Sequence, residues 1–149
     1  MNDQRRGALR IAGALALAAL LKPFAALAAW NQAAFASKSS ADALKNLGTA
    51  GAESSSQILI EAPQIAENGA VVPIEVTSNI PGTTSLAVLV EKNPYPLVAK
   101  FEFAEGAVPF VKLNAKMGET SDVRVVATAG GKSYQATKEI KVTIGGCGG

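Results

Sequence analysis

The chain has no histidine and a single cysteine among its 149 residues. That pair of shortages removes whole classes of chemistry. Zinc-finger spacing, a copper site of the His/Cys type, and Ser-His-Asp or Cys-His nucleophiles all need residues that are not there. With one cysteine there is no Cys-x-x-Cys pair, so an independent thiol oxidoreductase is disfavoured. No metal site and no cofactor are expected. Long apolar runs are also missing. The run Ile11 to Leu21 covers eleven residues before Lys22 and Pro23 interrupt it, whereas a membrane-spanning helix needs about 20. No stable membrane insertion is expected. A basic cluster is lacking beyond the first few positions, and neither an internal repeat nor a second domain is visible.

What is present at the N-terminus reads as an export signal. Arg5 and Arg6 precede Gly7, Ala8, Leu9 and Arg10, and the short apolar run follows. Ala26-Leu27-Ala28 then supplies a small-x-small cleavage site, with cutting after Ala28, and Ala34-Phe35-Ala36 offers a second, less favoured one. The layout resembles a bacterial twin-arginine signal, with Gln4 and Ala8 departing from the residues common at those places. Of the 14 basic and 12 acidic residues, four basic and one acidic lie in positions 1–28, which leaves 10 against 11 and a net charge of −1. The basic character of the whole chain therefore belongs to the signal. A near-neutral remainder is a poor partner for nucleic acid. About 120 residues remain, the size of one domain with one core.

Periodicity divides that remainder. Residues 30–47 read as helical, with Ser39 and Asp42 as a cap signal and Gly48 as the stop. Trp30 and Phe35 there read as core anchors. Thr49 to Ser56 is rich in glycine, alanine and serine and reads as a linker. From Gln57 the pattern turns to strands. Ile58 and Ile60 alternate with Leu59 and Glu61. Glu67-Asn68-Gly69 signals a turn before a strand over Ala70 to Thr77, which Pro73 demotes to an edge or a bulge. Thr84 to Glu91 is apolar on both faces and should be central. Leu97, Ala99, Phe101 and Phe103 share one face opposite Lys100 and Glu102. Val108 to Leu113 is a further strand. Asp122 to Thr128 and Ser133 to Ile144 form a hairpin through Ala129-Gly130-Gly131-Lys132. The segment Lys92-Asn93-Pro94-Tyr95-Pro96 is a rigid turn that packs locally. Glu91, Glu102 and Glu105 read as solvated surface. Short strands with regular turns and no βαβ alternation predict an all-β, antiparallel β-sandwich with a short N-terminal helix. The expected division is signal peptide 1–28, helix and linker 29–56, sandwich 57–144 and C-terminal arm 145–149.

That arm is Gly145-Gly146-Cys147-Gly148-Gly149 and holds the only thiol. Glycine has no Cβ and samples φ/ψ space widely, and chain ends are loosely held unless something docks them. Four glycines cannot wall in a cysteine, so an exposed functional thiol is favoured over a buried hydrophobe or an incidental one. Three residues past Ile144 reach at most ~10 Å. The thiolate is the reactive form, and an unperturbed cysteine titrates near about 8.5. No lysine, arginine or histidine follows Lys141 to lower that value. The chain alone is therefore expected to be a carrier of something on sulfur, not a catalyst.

Taken with VPIEVTSNIPGT (Val72 to Thr83) and VEKNPYPLVAKFEF (Val90 to Phe103), the twin arginine and the terminal GGCGG resemble the SoxY family, the sulfur-carrier subunits of the bacterial thiosulfate-oxidising (Sox) system. The resemblance covers the whole chain. It implies an Ig-like sandwich, periplasmic and exported by the twin-arginine route, paired with a second sandwich subunit, SoxZ. It implies Cys147 as the covalent attachment point for thiosulfate, and Gly145, Gly146, Gly148 and Gly149 as a flexible swinging arm. The further partners it implies are a c-type cytochrome that couples thiosulfate to the thiol, a hydrolase that releases sulfate, and a sulfur dehydrogenase that oxidises the remaining persulfide. Two other readings remain open at this point: a structural or adhesion-type sandwich that dimerises through Cys147, and a ubiquitin-like carrier using its Gly148-Gly149 carboxylate.

Overall fold

The structure is a computed structural model and describes residues 30–143. The expected signal peptide falls outside the described residues, as does the arm.

Helix α1 (Gln32–Phe35) and helix α2 (Ser40–Asn46) divide the stretch read from sequence as one helical segment. The break falls at serines. Ser37 Oγ donates to the Ala33 carbonyl at 2.8 Å, and Ser39 is extended, with φ −133°. Serine side chains that bond nearby backbone compete with helix continuation. Ser39 then caps α2: its hydroxyl accepts from the Asp42 N–H at 3.1 Å and donates to Asp42 Oδ2 at 2.7 Å. Gly48 ends α2 at φ +73°. Its N–H donates to Lys45 O and that of Thr49 to Leu44 O, at 3.0 and 2.8 Å. These two bonds are the Schellman closure that a left-handed glycine permits.

Among the described residues nine strands follow: β1 (Glu53–Ser54), β2 (Ile58–Glu61), β3 (Ile65–Ala66), β4 (Val72–Ser78), β5 (Thr83–Val90), β6 (Leu97–Glu102), β7 (Phe110–Ala115), β8 (Ser121–Ala129) and β9 (Lys132–Val142). One sheet has the order β1-β9-β8-β5-β6, with β3 also on β9; the other is β2-β4-β7. The long pairings are antiparallel, as expected, while the two-residue strands β1 and β3 run parallel to β9. The stretch 49–56 is thus more than a linker, because β1 within it pairs with Tyr134 and Gln135.

Strand β5 lies between β6 and β8 and is buried from Leu86 to Val90. Leu86, Val88 and Val90 meet Val72, Ile74 and Val76 of β4 in the core between the sheets. Ala87 and Leu89 point the other way and pack with Ala34, Ala43 and Leu44 of the two helices. A sheet on one side and helices on the other explain an uninterrupted apolar strand. Each fully buried Val or Leu there contributes on the order of 1.5–3 kcal/mol.

Three further expectations need correction. Pro73 does not mark an edge, because β4 is the middle strand of its sheet. Its partner β2 ends at Glu61, opposite Glu75, so on that side Pro73 lies past the ladder and no hydrogen bond is lost. Leu97 and Phe101 do not share a face. A register shift between Val88 and Leu89 sends Leu97 to the helix side and leaves Phe101 in the inter-sheet core, the re-aiming that a β-bulge produces. Trp30 is no core anchor, being 67% exposed, whereas Phe35 packs partly buried against the helix cluster. The hairpin stands as expected. Gly130 and Gly131 have φ +56° and +75°, the two positive values that a type I′ turn requires.

Candidate functional site

Cys147, Gly145, Gly146, Gly148 and Gly149 lie outside the described residues; the structure defines the root from which they depart. Strand β9 ends at Val142, whose N–H donates to Thr120 Oγ1 at 3.0 Å. On the other flank the N–H of Lys141 reaches Gln64 O at 2.9 Å, and that of Thr143 reaches Ala66 O at 3.1 Å. The turn glycine Gly69 presses against the same place. Its carbonyl accepts from Met117 N–H at 2.7 Å. A Cβ on Gly69 would collide with the Met117 carbonyl and lie 2.9 Å from Val142 Cγ1. Two loops therefore clamp the last described residues before the arm begins.

The turn at 92–96 stands at the same end and is locally packed, as expected. Asn93 Nδ2 donates to Lys116 O at 2.8 Å, and Val90 N–H to Pro96 O at 2.9 Å. Lys92 N–H donates to Ser121 Oγ at 3.1 Å, and its ammonium lies 3.6 Å from Glu119 Oε2. Tyr95 remains half exposed, with Lys38 Nζ 3.3 Å from its hydroxyl and 4.6 Å from its ring centroid. Such cation–π pairs at exposed sites contribute roughly 0.5–1 kcal/mol.

The carboxylates do not assemble into acid/base machinery. Glu91 departs from the expected solvated role: it is half-buried and accepts from Arg124 Nε at 2.6 Å. Arg124 also donates to Gln135 Oε1, and Gln135 Nε2 to Ala52 O, a chain that fastens the stretch before β1 to the sheet. Glu102 is exposed, and the hydrogen bond and charge of Lys100 hold its carboxyl below the usual range. Glu105 is exposed as expected. Among the described residues no group of three or more metal-ligating side chains comes together, and no helix is long and apolar enough to cross a membrane. Sequence reading missed the clamp role of Gly69 and the placement of Lys92 and Lys116 beside the arm root. The first had a signal, the Glu67-Asn68-Gly69 turn; the second depends on loops brought together only by the fold.

Comparison with known proteins agrees with this picture. A comparison with curated protein sequences gives no match. Among solved structures, the sulfur carrier protein SoxY from Chlorobium limicola f thiosulfatophilum is 40% identical, covers 69% of this chain and 96% of its own, and superposes with a TM-score of 0.62. Superoxide reductase (neelaredoxin) from Ignicoccus hospitalis is 18% identical over 58% of this chain and 80% of its own, with a TM-score of 0.52; that similarity is one of fold alone. The family described as sulfur oxidation protein SoxY matches residues 44–147. By that match and by its likeness to a solved SoxY sandwich, the chain belongs to the SoxY family of sulfur oxidation proteins.

Proposed function

We propose that this protein is a sulfur carrier that holds intermediates of thiosulfate oxidation on the Cys147 thiol while other proteins act on them. It is a substrate of enzymes, not an enzyme itself. The observation that carries the reading is the family match, which runs to residue 147 and so includes the lone cysteine. The clamped root supports it: Cys147 is four residues beyond Thr143, an extended reach of at most ~14 Å. A thiol on so short a tether can enter a narrow active site but cannot return far into its own domain.

The chemistry that SoxY membership implies balances on this one sulfur. Loading joins the thiol to thiosulfate, R–SH + S2O3²⁻ → R–S–S–SO3⁻ + H⁺ + 2e⁻, with the electrons taken by a c-type cytochrome. Hydrolysis then gives R–S–S⁻, sulfate and two protons. A sulfur dehydrogenase oxidises the remaining sulfane. None of these steps asks the carrier for a base, in keeping with a sequence without histidine. The glycines Gly145, Gly146, Gly148 and Gly149 keep the arm slim and conformationally free. The compartment is the periplasm, reached through the twin-arginine signal of residues 1–28.

The proposed stable partner is SoxZ. Strand β5 offers no open face to it, being covered within the chain. The outer side of the β2-β4-β7 sheet does: Leu59, Thr77 and Phe110 align across the three strands, and Leu59 and Phe110 are 45% and 47% exposed. The substitution Cys147→Ser tests the carrier reading. It should leave the melting temperature unchanged and abolish thiosulfate-dependent turnover in a reconstituted system; retained turnover contradicts the reading.

A further inference from the structure

Strand β9 outlasts its partner. The last rung of its ladder with β8 is Ser121↔Ile140, and the next in register would set Glu119 opposite Val142. That rung is not made, because β8 begins only at Ser121. The chain bends at 118–120 instead. There the Thr120 hydroxyl accepts from the Val142 N–H at 3.0 Å, in the place where a continuing strand would present a carbonyl. The other flank of β9 is held by main chain. Lys141 N–H donates to Gln64 O and Thr143 N–H to Ala66 O, alongside the parallel pairing with β3. On the β8 side, then, the final residue of β9 is held by one side chain.

We propose that Thr120 is a positioning residue for the carrier reaction: its hydroxyl sets where β9 ends, and through that the reach and direction of Cys147. The proposal rests on the carrier reading and adds to it a residue outside the arm on which delivery of the thiol depends. Thr120 does not touch the sulfur; it acts through Val142. With Thr143 held, Cys147 is four residues further on and reaches at most ~14 Å. With β9 opened back to Lys141 the tether is six residues, and the reach is at most ~22 Å. The concentration of a tethered end falls roughly as the −3/2 power of tether length, so this change dilutes the thiol about twofold wherever a partner meets it. Aim is lost as well. A strand end fastened on both flanks fixes the direction in which the chain leaves, and such preorganisation lowers the ordering cost of docking. One flank alone leaves the end free to fray.

Two variants of the mature protein test this. Thr120→Val keeps the shape and removes the acceptor, and Thr120→Ser keeps the hydroxyl. Hydrogen exchange at the Val142 amide should speed about two- to tenfold in Thr120→Val, the scale of one hydrogen bond, while β5 amides keep their rates. The direction of the arm is read by spin labels on Cys147 and on Lys132→Cys, at the far end of β9. The distribution of distances between them should widen about 1.2- to 1.5-fold in Thr120→Val, following the longer tether, and narrow again in Thr120→Ser. In a reconstituted system the KM for the carrier should rise about two- to fivefold, from dilution and lost aim, with kcat unchanged because the reacting atoms are untouched. A threonine that only stabilises its loop would change the exchange rate alone. If label distances and KM keep their wild-type values in Thr120→Val, or if Thr120→Ser does not restore them, the proposal fails and the carrier reading stands. If the wild-type protein supports no turnover while the label distances follow the hydroxyl, the carrier reading fails and Thr120 still directs the arm.

Discussion

Gly69 has no Cβ because the fold leaves no room for one. The Met117 carbonyl and the Val142 side chain occupy that space, and both belong to the clamp around the arm root. Gly69→Ala should therefore cost about 1–3 kcal/mol, the usual scale of overpacking against atoms that cannot yield. Urea unfolding would measure it, and an unchanged midpoint would show that the clamp yields. The requirement is invisible in sequence, where Gly69 is only the third residue of a turn signal. Glu91 was equally illegible. Its partner Arg124 is distant in the chain, and only the β5–β8 pairing brings them together. Cys147 is the opposite case. Four glycines around a single thiol are legible without a fold, and the role proposed for them rests on that pattern.

At the scale of elements, legibility followed how local the determining interactions were. The β8–β9 hairpin was readable because Gly130 and Gly131 alone fix its turn. Strand β5 was readable because burial on both faces leaves an unbroken apolar run. The break between α1 and α2 depends on the Ser37 hydroxyl bonding the Ala33 carbonyl and the Ser39 hydroxyl bonding Asp42, which periodicity does not register. The β6 bulge and the strands β1 and β3 are settled by pairing between distant segments. Ser39 is the local determinant that joins the two levels. Its hydroxyl starts α2, and α2 supplies Ala43 and Leu44 to the cover over β5. Ser39→Ala should cost about 1 kcal/mol through the lost cap. A midpoint unchanged in urea would mean that packing alone holds α2 in place.

Across the whole molecule, one sheet face stays uncovered. The helices seal one side of the larger sheet, and the sheets seal each other, while the outer face of β2-β4-β7 remains open around Leu59 and Phe110. Exposed apolar residues grouped on one face mark association surfaces. The double substitution Leu59→Lys, Phe110→Lys should keep the domain folded and abolish co-purification with the proposed partner SoxZ; undiminished co-purification would place the interface elsewhere. The proposed site of the carrier role is the five-residue arm, and one measurement addresses it most directly. Intact mass, with fragmentation, of the mature protein from cells given thiosulfate should show added sulfur or thiosulfate on Cys147 and none in Cys147→Ser. An adduct on the Gly149 carboxylate, or an unmodified Cys147 throughout active thiosulfate oxidation, would contradict the account.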